Sequence, residues 1–544
     1  MLSRSLRYRA PLLWLVLPLM AGLAAGRMGD LTEPRVLLAG AVVAALVALA
    51  AAWRAPRAWA VPLVVAMFLA GAASQALHER RLPEREALPP REAKLTLRID
   101  RVFAPSGPDR ASGLATITAT EMHLGDLRRQ RIYFSIAVRK GDKPPVRSGV
   151  VSVLGVIAPV SRDPPPDTFE SYLANAGLGF RLSRGRMLAV ERPALAYYQF
   201  CERLAARMNA LLSAGLEDRP EIAAVYRAMM LGQKHELSEE QHQLFMHSGT
   251  MHLFAINGLH IGVVALALHF LLALLRCPRL PSSLLVLAVL WLDVDTTGAS
   301  PSAVRAFLMV AMLEASWGLR RPVNPLAALA AAAALVLVFD PLDFFSASFQ
   351  MSHCVVTAIV VFGLPLAEWM KARWPAFPDL PQVTWAWHHR ARAWARRRFF
   401  DTLSIGCSAT LVSALSGVEF FSVFATGALV ANLVLVPLAS VVIMAGFASL
   451  VLGLSSISWA GRLCNEAAGV LLRLIDWLIR LDTNVPGSSW TAHFRAGWIG
   501  PASLVALVAA LLSGYAWGWR KERGGFWPPV VVVVVTLALG VNFG

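Results

Sequence analysis

Four stretches of a largely apolar chain carry side chains able to bind or pass a polar ligand. SGTMHLFAINGLHIGVV sets His252, Asn257, Gly258 and His260 at the mouth of an apolar run. DVDTTGASPSAVRAFLMVAM sets Arg305 in the first turn of a second one. FDPLDFFSASFQMSHCVV holds Gln350, Ser352 and His353, and ANLVLVPLAS holds Asn432 ahead of Pro437. A charge at the bilayer centre costs at least about 2.5–3.5 kcal/mol, so such groups face a bundle interior or a wet cavity.

Three kinds of chemistry suit these residue types. His252 and His260, eight apart, lie about 80° apart around an ideal helix. On an unbroken helix they would share a face, but Gly258 argues against such a helix, further ligands are lacking nearby and no metal is expected. Asn, Gln, Ser and His also join helices through hydrogen bonds of ~0.6–2 kcal/mol each. With Arg305 they form the lining of a polar path. Gly249, Gly258 and Gly262 allow close backbone approach or a broken helix. Ser302 is the expected cap of the second helix, and Asp293 or Asp295 the alternative partners of Arg305. Asn432 and Pro437 predict a kink or break.

No GxxxxGKS or GxxxxGKT phosphate loop, HxHxD, GxSxG or HExxH motif occurs. Neither ATP hydrolysis nor another enzymatic activity is expected, and no cofactor. Cys201, Cys277, Cys354, Cys407 and Cys464 are scattered without CxxC or zinc spacing, and no disulfide is expected.

The elements that position these groups follow from composition. The 544 residues are 56% hydrophobic and only 16% charged, against about 25% charged in soluble proteins. Several apolar runs approach the ~20 residues needed to cross a bilayer. The fold class is therefore a polytopic α-helical membrane protein of about ten to twelve spans, with an inserted extracytoplasmic small β-barrel. The net charge of +16 is largely explained by basic cytoplasmic loops.

The N-terminus has the outline of a signal peptide, and an uncleaved first helix is preferred. Residues 1–77 hold three membrane helices. Arg4, Arg7, Arg9, Arg54 and Arg57 place the N-terminus in the cytoplasm and the next region outside. Residues 78–192 alternate as four or five short strands (AKLTLRIDRVF, GLATITATEMHL, QRIYFSIAVRK, GVVSVLGVIAPV). From Glu79 to Arg186 there are 19 Lys and Arg against 12 Asp and Glu. Residues 193–249 read as amphipathic helices that lie in the membrane interface or pack on the core, one starting at Pro220. Residues 250–482 form the main membrane domain, and residues 483–544 add the last helices. Within these, Trp459–Leu481 either crosses or lies flat. The basic stretch HHRARAWARRR reads as a cytoplasmic loop.

Several ordered segments resemble the ComEC competence proteins, inner-membrane channels of bacterial DNA uptake. They are LGQKHELSEEQHQLFMHSGTMHLFAINGLHIGVV, PSAVRAFLMVAML, FDPLDFFSASFQMSHCVV and ALVANLVLVPLAS, preceded by the barrel end GVVSVLGVIAPVSRDPPPDTFESYLANAGLGFRL. Asn257 stands where that family usually has Ser, and Ser348 where a Gly is common. The metallo-β-lactamase-like domain of many members is not seen; the chain ends in an apolar span. The resemblance implies an OB-like barrel and transport of single-stranded DNA through the inner membrane. It also implies a separate DNA receptor, a cytoplasmic ATPase and a nuclease as partners, besides the lipid bilayer. The alternative is a transporter of a small or lipid-linked solute on the same scaffold. On the channel reading, Arg305→Ala or His260→Leu lowers DNA uptake without lowering membrane abundance.

Overall fold

The computed structural model describes residues 10–28, 33–54, 58–81, 89–103, 109–121, 124, 127–138, 144–161, 168–254, 256–322, 324–378 and 380–544. Arg4, Arg7, Arg9 and Arg57 lie outside the described residues.

Three helices open the chain: α1 (Leu13–Met28), α2 (Pro34–Arg54) and α3 (Ala60–Arg81). Small residues let α1 and α3 cross at backbone contact. A Cβ on Gly22 would stand 1.9 Å from the Phe68 carbonyl oxygen, and one on Gly71 2.2 Å from that of Leu19. Such seams supply the close packing that hydrophobicity cannot supply inside lipid.

The β region is a closed barrel of β1 (Arg91–Val102), β2 (Arg110–Thr120), β3 (Arg131–Ala137), β4 (Val150–Pro159) and β5 (Phe180–Arg192), ordered β1-β2-β3-β5-β4. Helix α4 (Phe169–Asn175) lies between β4 and β5. Alternation drives it: Ala93, Leu95, Leu97 and Ile99 are buried in β1 while Lys94 and Arg98 face out. The strands run from 7 to 13 residues, longer than the short ones expected, because strands closing a small barrel are tilted and wrap around it. All five cysteines are free.

Next come α5 (Ala196–Ser213), α6 (Pro220–Leu231) and α7 (Glu239–His247). Pro220 opens α6, and a Ser238–Gln241 capping box opens α7. The membrane domain comprises α8 (Gly258–Leu274), α9 (Arg279–Thr296), α10 (Pro301–Gly318), α11 (Pro325–Phe339), α12 (Ala347–Ala358), α13 (Leu364–Arg373), α14 (Trp387–Phe421), α15 (Ala428–Leu454), α16 (Ser458–Thr483), α17 (Ile499–Ala516) and α18 (Trp527–Gly540). A π turn at Ile359–Gly363 joins α12 to α13. Short strands β6 (Val423–Ala425), β7 (Ser489–Phe494) and β8 (Val541–Phe543) form a three-stranded sheet. Among the described residues seven helices are long and apolar enough to cross a bilayer, and three more are apolar but shorter. The chain is thus a multi-pass membrane protein with a β-barrel insert.

Three local expectations change, and one open alternative is decided. Ser300, not Ser302, caps α10 and accepts from the Ala303 amide at 3.3 Å. The basic HHRARAWARRR stretch is not a loop but the first turns of the 35-residue α14; its arginines form helix readily, and their charge hides the apolar period. Helix α15 runs through Asn432 and Pro437 without a break, since packing in a bundle tolerates a helical proline. Helix α5 is packed on the core, against α6, α9, α15 and α16. Helix α16 returns along the length of α15. It buries Ala468, Leu472, Ile475 and Ile479 there.

Short connections make successive helices antiparallel. The end of α9 touches the barrel at Asp295, so the starts of α8 and α10 share the barrel-facing end. So do the turn before α12 and the start of α15. The basic turns at Arg276 and Arg279, Arg320 and Arg321, and Lys371–Arg398 fall at the opposite end.

Candidate functional site

Every residue singled out by sequence in the membrane domain lies near that barrel-facing end. Asn257 precedes α8 and His260 is in its first turn; Arg305 is in the second turn of α10. Gln350, Ser352 and His353 lie in the first two turns of α12, and Asn432 in the second turn of α15. Seven helical residues span about 10 Å, so this polar set occupies one end of the membrane domain and not its full depth.

Arg305 forms the centre of one corner. It is 1% exposed. It donates to Asp343 Oδ2 at 3.0 Å and to Ser348 Oγ, and its guanidinium carbon is 5.9 Å from the centre of the Phe349 ring. Asp343 lies in the turn Pro341–Phe345, so the partner of Arg305 is neither Asp293 nor Asp295. Ser346 donates to Asp343 Oδ1 at 2.8 Å and caps α12. Gln350 donates to the Phe344 carbonyl at 3.2 Å. His353 stacks on Phe349, 4.0 Å between ring centres, with Nδ1 3.0 Å from the Phe349 carbonyl. Its Nε2 and the Arg305 Nε are buried without a partner among the described residues. Ser352 is half-buried beside them.

The opening stretch is a second, separate group. The chain forms a tight turn at Met251–Phe254, leaves helical geometry, and restarts at Gly258. Asn257 makes the break: its Oδ1 accepts from the Leu259 amide at 2.9 Å, and its Nδ2 donates to the His252 carbonyl. A cap of this kind contributes about 1 kcal/mol. His252 is exposed, with Nδ1 3.0 Å from the Gly249 carbonyl. At Gly258 and Gly262 a Cβ would meet nothing within 4 Å, so these glycines border open space and not a close helix contact. His260 is buried beside the Met229 backbone, yet among the described residues neither ring nitrogen meets a partner at hydrogen-bond geometry. Asn432 Oδ1 is likewise buried and has no partner among the described residues.

Sequence reasoning missed the seam between barrel and membrane domain. Arg147 reaches Asp295 at 2.7 Å, and the Tyr197 hydroxyl donates to the same carboxylate at 2.9 Å. Arg101 donates to the Gly298 carbonyl at 3.3 Å, and Arg131 is 3.5 Å from Asp340. Burial lowers the Arg101 pKa, and the neighbouring Arg131 and Arg147 lower it further. Burial also pushes the Tyr197 phenol up, with the bond to Asp295 adding to it, so the phenol stays a donor. Gly177, at φ +72°, sits against Leu342, where a Cβ would lie 2.3 Å from a methyl. Arg27 ties α1 to the same seam through Asn175 at 2.9 Å. An aromatic patch flanks it: Tyr133 packs on Phe169 at 4.9 Å, Phe169 on Tyr172 at 5.9 Å, and Arg101 lies over Phe103. Phe169 and Tyr172 are 49% and 42% exposed. From this patch the groups run through Arg131, Asp340 and Asp343 to Arg305.

A deeper cluster was also missed. His269 Nε2 is 2.6 Å from Glu314 Oε1, and its Nδ1 is 3.3 Å from Ser282 Oγ. A Glu inside an apolar helix was the available signal. Glu314 is nine residues beyond Arg305 on α10, which puts it on the opposite face of that helix. The two polar groups are therefore not one continuous lining.

A family model described as Competence protein matches residues 229–521. ComE operon protein 3 of Bacillus subtilis (strain 168) is 30% identical over 142 residues, which is 26% of this chain and 18% of that relative's length. No solved structure matches.

Proposed function

The chain belongs to the competence protein family, and on that footing we propose that it passes single-stranded DNA through the cytoplasmic membrane during uptake. What carries this reading is the convergence of the seam arginines, the barrel aromatics and the Arg305 corner at one end of the membrane domain. A DNA strand carries one charge per nucleotide, which lipid cannot accept. Bases stack on exposed aromatic rings for about 1–3 kcal/mol each, whatever their identity. Phe169 and Tyr172 are placed for that role, with Arg101 and Arg131 beside them for the phosphates. Opening of the turn Pro341–Phe345 lets Arg305, 1% exposed at rest, exchange its carboxylate partner for a phosphate. The exchange swaps one anion for another, which keeps the bound strand from being trapped.

In this reading the barrel is outside and the N-terminus inside. The basic ends at Arg276, Arg320 and Arg390–Arg398 face the cytoplasm, as short cationic segments do. A surface receptor, a cytoplasmic ATPase and a nuclease supply delivery, force and strand removal; this chain acts as the passage and not as an enzyme.

Deleting the gene in its host and following labelled DNA tests this directly. Entry into the cytoplasm is expected to fall to background while DNA bound at the cell surface is unchanged. Undiminished entry, or loss of a small solute's uptake instead, would overturn the DNA reading.

A further inference from the structure

At the end away from the barrel, α13 and α14 enclose a cleft with its own chemistry. Helix α14 has 35 residues, about 52 Å at 1.5 Å per residue, against a hydrocarbon core of roughly 30 Å. Its basic residues all lie near its start: Arg390, Arg392, Arg396, Arg397 and Arg398, whereas Phe399–Phe421 contains only Asp401 and Glu419 as charges. That start therefore projects from the membrane, and the junction falls at headgroup level. Exposed Trp374 packs against Phe400 at 6.0 Å, at that junction, as interfacial tryptophans do.

The cleft there has a volume of about 440 Å³. Phe377, Trp385 and Phe400 form its apolar wall, with Lys371, Arg396 and Arg397 among its lining. Phe377 meets Trp385 edge-on at 5.5 Å. Lys371 is already paired, with Asp401 at 2.6 Å and Glu368 at 3.0 Å. No carboxylate pairs with Arg396 or Arg397 among the described residues. Arg396 is held half-buried against the Phe400 ring at 5.4 Å. Two unneutralised guanidinium groups over an aromatic floor, at the membrane surface, call for an anion with an apolar body.

We propose that this cleft binds an anionic phospholipid, its phosphate between Arg396 and Arg397 and the first carbons of its acyl chains against Phe377, Trp385 and Phe400. A zwitterionic lipid offers the same apolar body but brings its own cation to the arginines. A free phosphate offers the charge without the body. The site is independent of any DNA role, and it would anchor the α13–α14 turn to the membrane surface.

The test uses the full chain in detergent, with lipid adducts counted by native mass spectrometry. Phosphatidylglycerol is expected to remain bound where phosphatidylcholine at equal concentration does not, and inorganic phosphate at that concentration should not displace it. Replacing both Arg396→Gln and Arg397→Gln should weaken phosphatidylglycerol retention about 30-fold, the loss of two arginines facing an anionic headgroup. Trp385→Ala should weaken phosphatidylglycerol retention as well. Equal retention of the two lipids by the unaltered protein would overturn the proposal even if the double variant failed to fold. So would displacement by phosphate, or full retention in the folded double variant.

Discussion

Asp343→Ala is expected to cost about 3–5 kcal/mol of stability, the penalty for leaving a buried charge without its partner. Arg305 is 1% exposed and Asp343 is its only carboxylate partner among the described residues. One guanidinium nitrogen already lacks a partner, so little remains to hold the cation once the carboxylate is gone. Thermal unfolding in detergent, together with protein abundance in membranes, measures the loss. The pair Arg305→Met with Asp343→Leu should recover most of the stability, because a buried ion pair is replaced by apolar groups at little net cost. The same double variant should remain defective in DNA uptake, which separates the functional role of the corner from its structural one. If Asp343→Ala is destabilised by under about 1 kcal/mol, the value of an exposed pair, Arg305 reaches water and the corner is not sealed. This pairing alters the simpler expectation for Arg305→Ala: that change should lower membrane abundance as well as uptake.

The second large effect is expected at the seam. Asp295→Ala removes a carboxylate that is 1% exposed at its side chain and holds both Arg147 and Tyr197. Bonds to a charged group contribute about 1.5–3 kcal/mol each in net terms. Arg147 is 35% exposed and regains water when released, so a total of about 2–3 kcal/mol is expected. The barrel core at Leu95, Leu97, Phe134 and Leu182 does not touch the seam carboxylate and should stay folded. Limited proteolysis should then cut between barrel and membrane domain at least several-fold faster, with barrel fragments still intact. Unchanged cleavage would show that the other seam contacts hold the barrel without Asp295.

The parts of this architecture that obey local rules were legible in the sequence. Bilayer thickness fixes the length of apolar helices, and a barrel wall alternates in and out, so Leu95, Leu97 and Ile99 declare a strand. Gly258 allowed for a broken helix, although the part of Asn257 as the cap that makes the break emerged only from the structure. Partnerships between distant residues were not legible. Asp343 lies 38 residues from Arg305, and nothing local ranks it above Asp293 or Asp295. Arg147 and Asp295, 148 residues apart, join an insert to a helix end, a contact no periodicity encodes. His260 and Arg305 looked alike as intramembrane polar residues, yet one is buried beside α6 and the other under the turn before α12. The difference lies in helix azimuth, which emerges only when the bundle is packed. Charge density in the first turns of α14 concealed a helix whose propensity was adequate throughout.

On the proposed function, a DNA strand passes the barrel-facing end of α8 on its way through the membrane. A photoreactive phenylalanine analogue at position 258 tests it, since a Cβ there meets nothing within 4 Å among the described residues. Phe270, 75% exposed farther along the same helix, serves as the comparison site. Illumination of cells taking up labelled DNA is expected to yield DNA–protein adducts at position 258 and few at position 270. Adducts at neither site, or equally at both, while uptake continues would contradict the passage described.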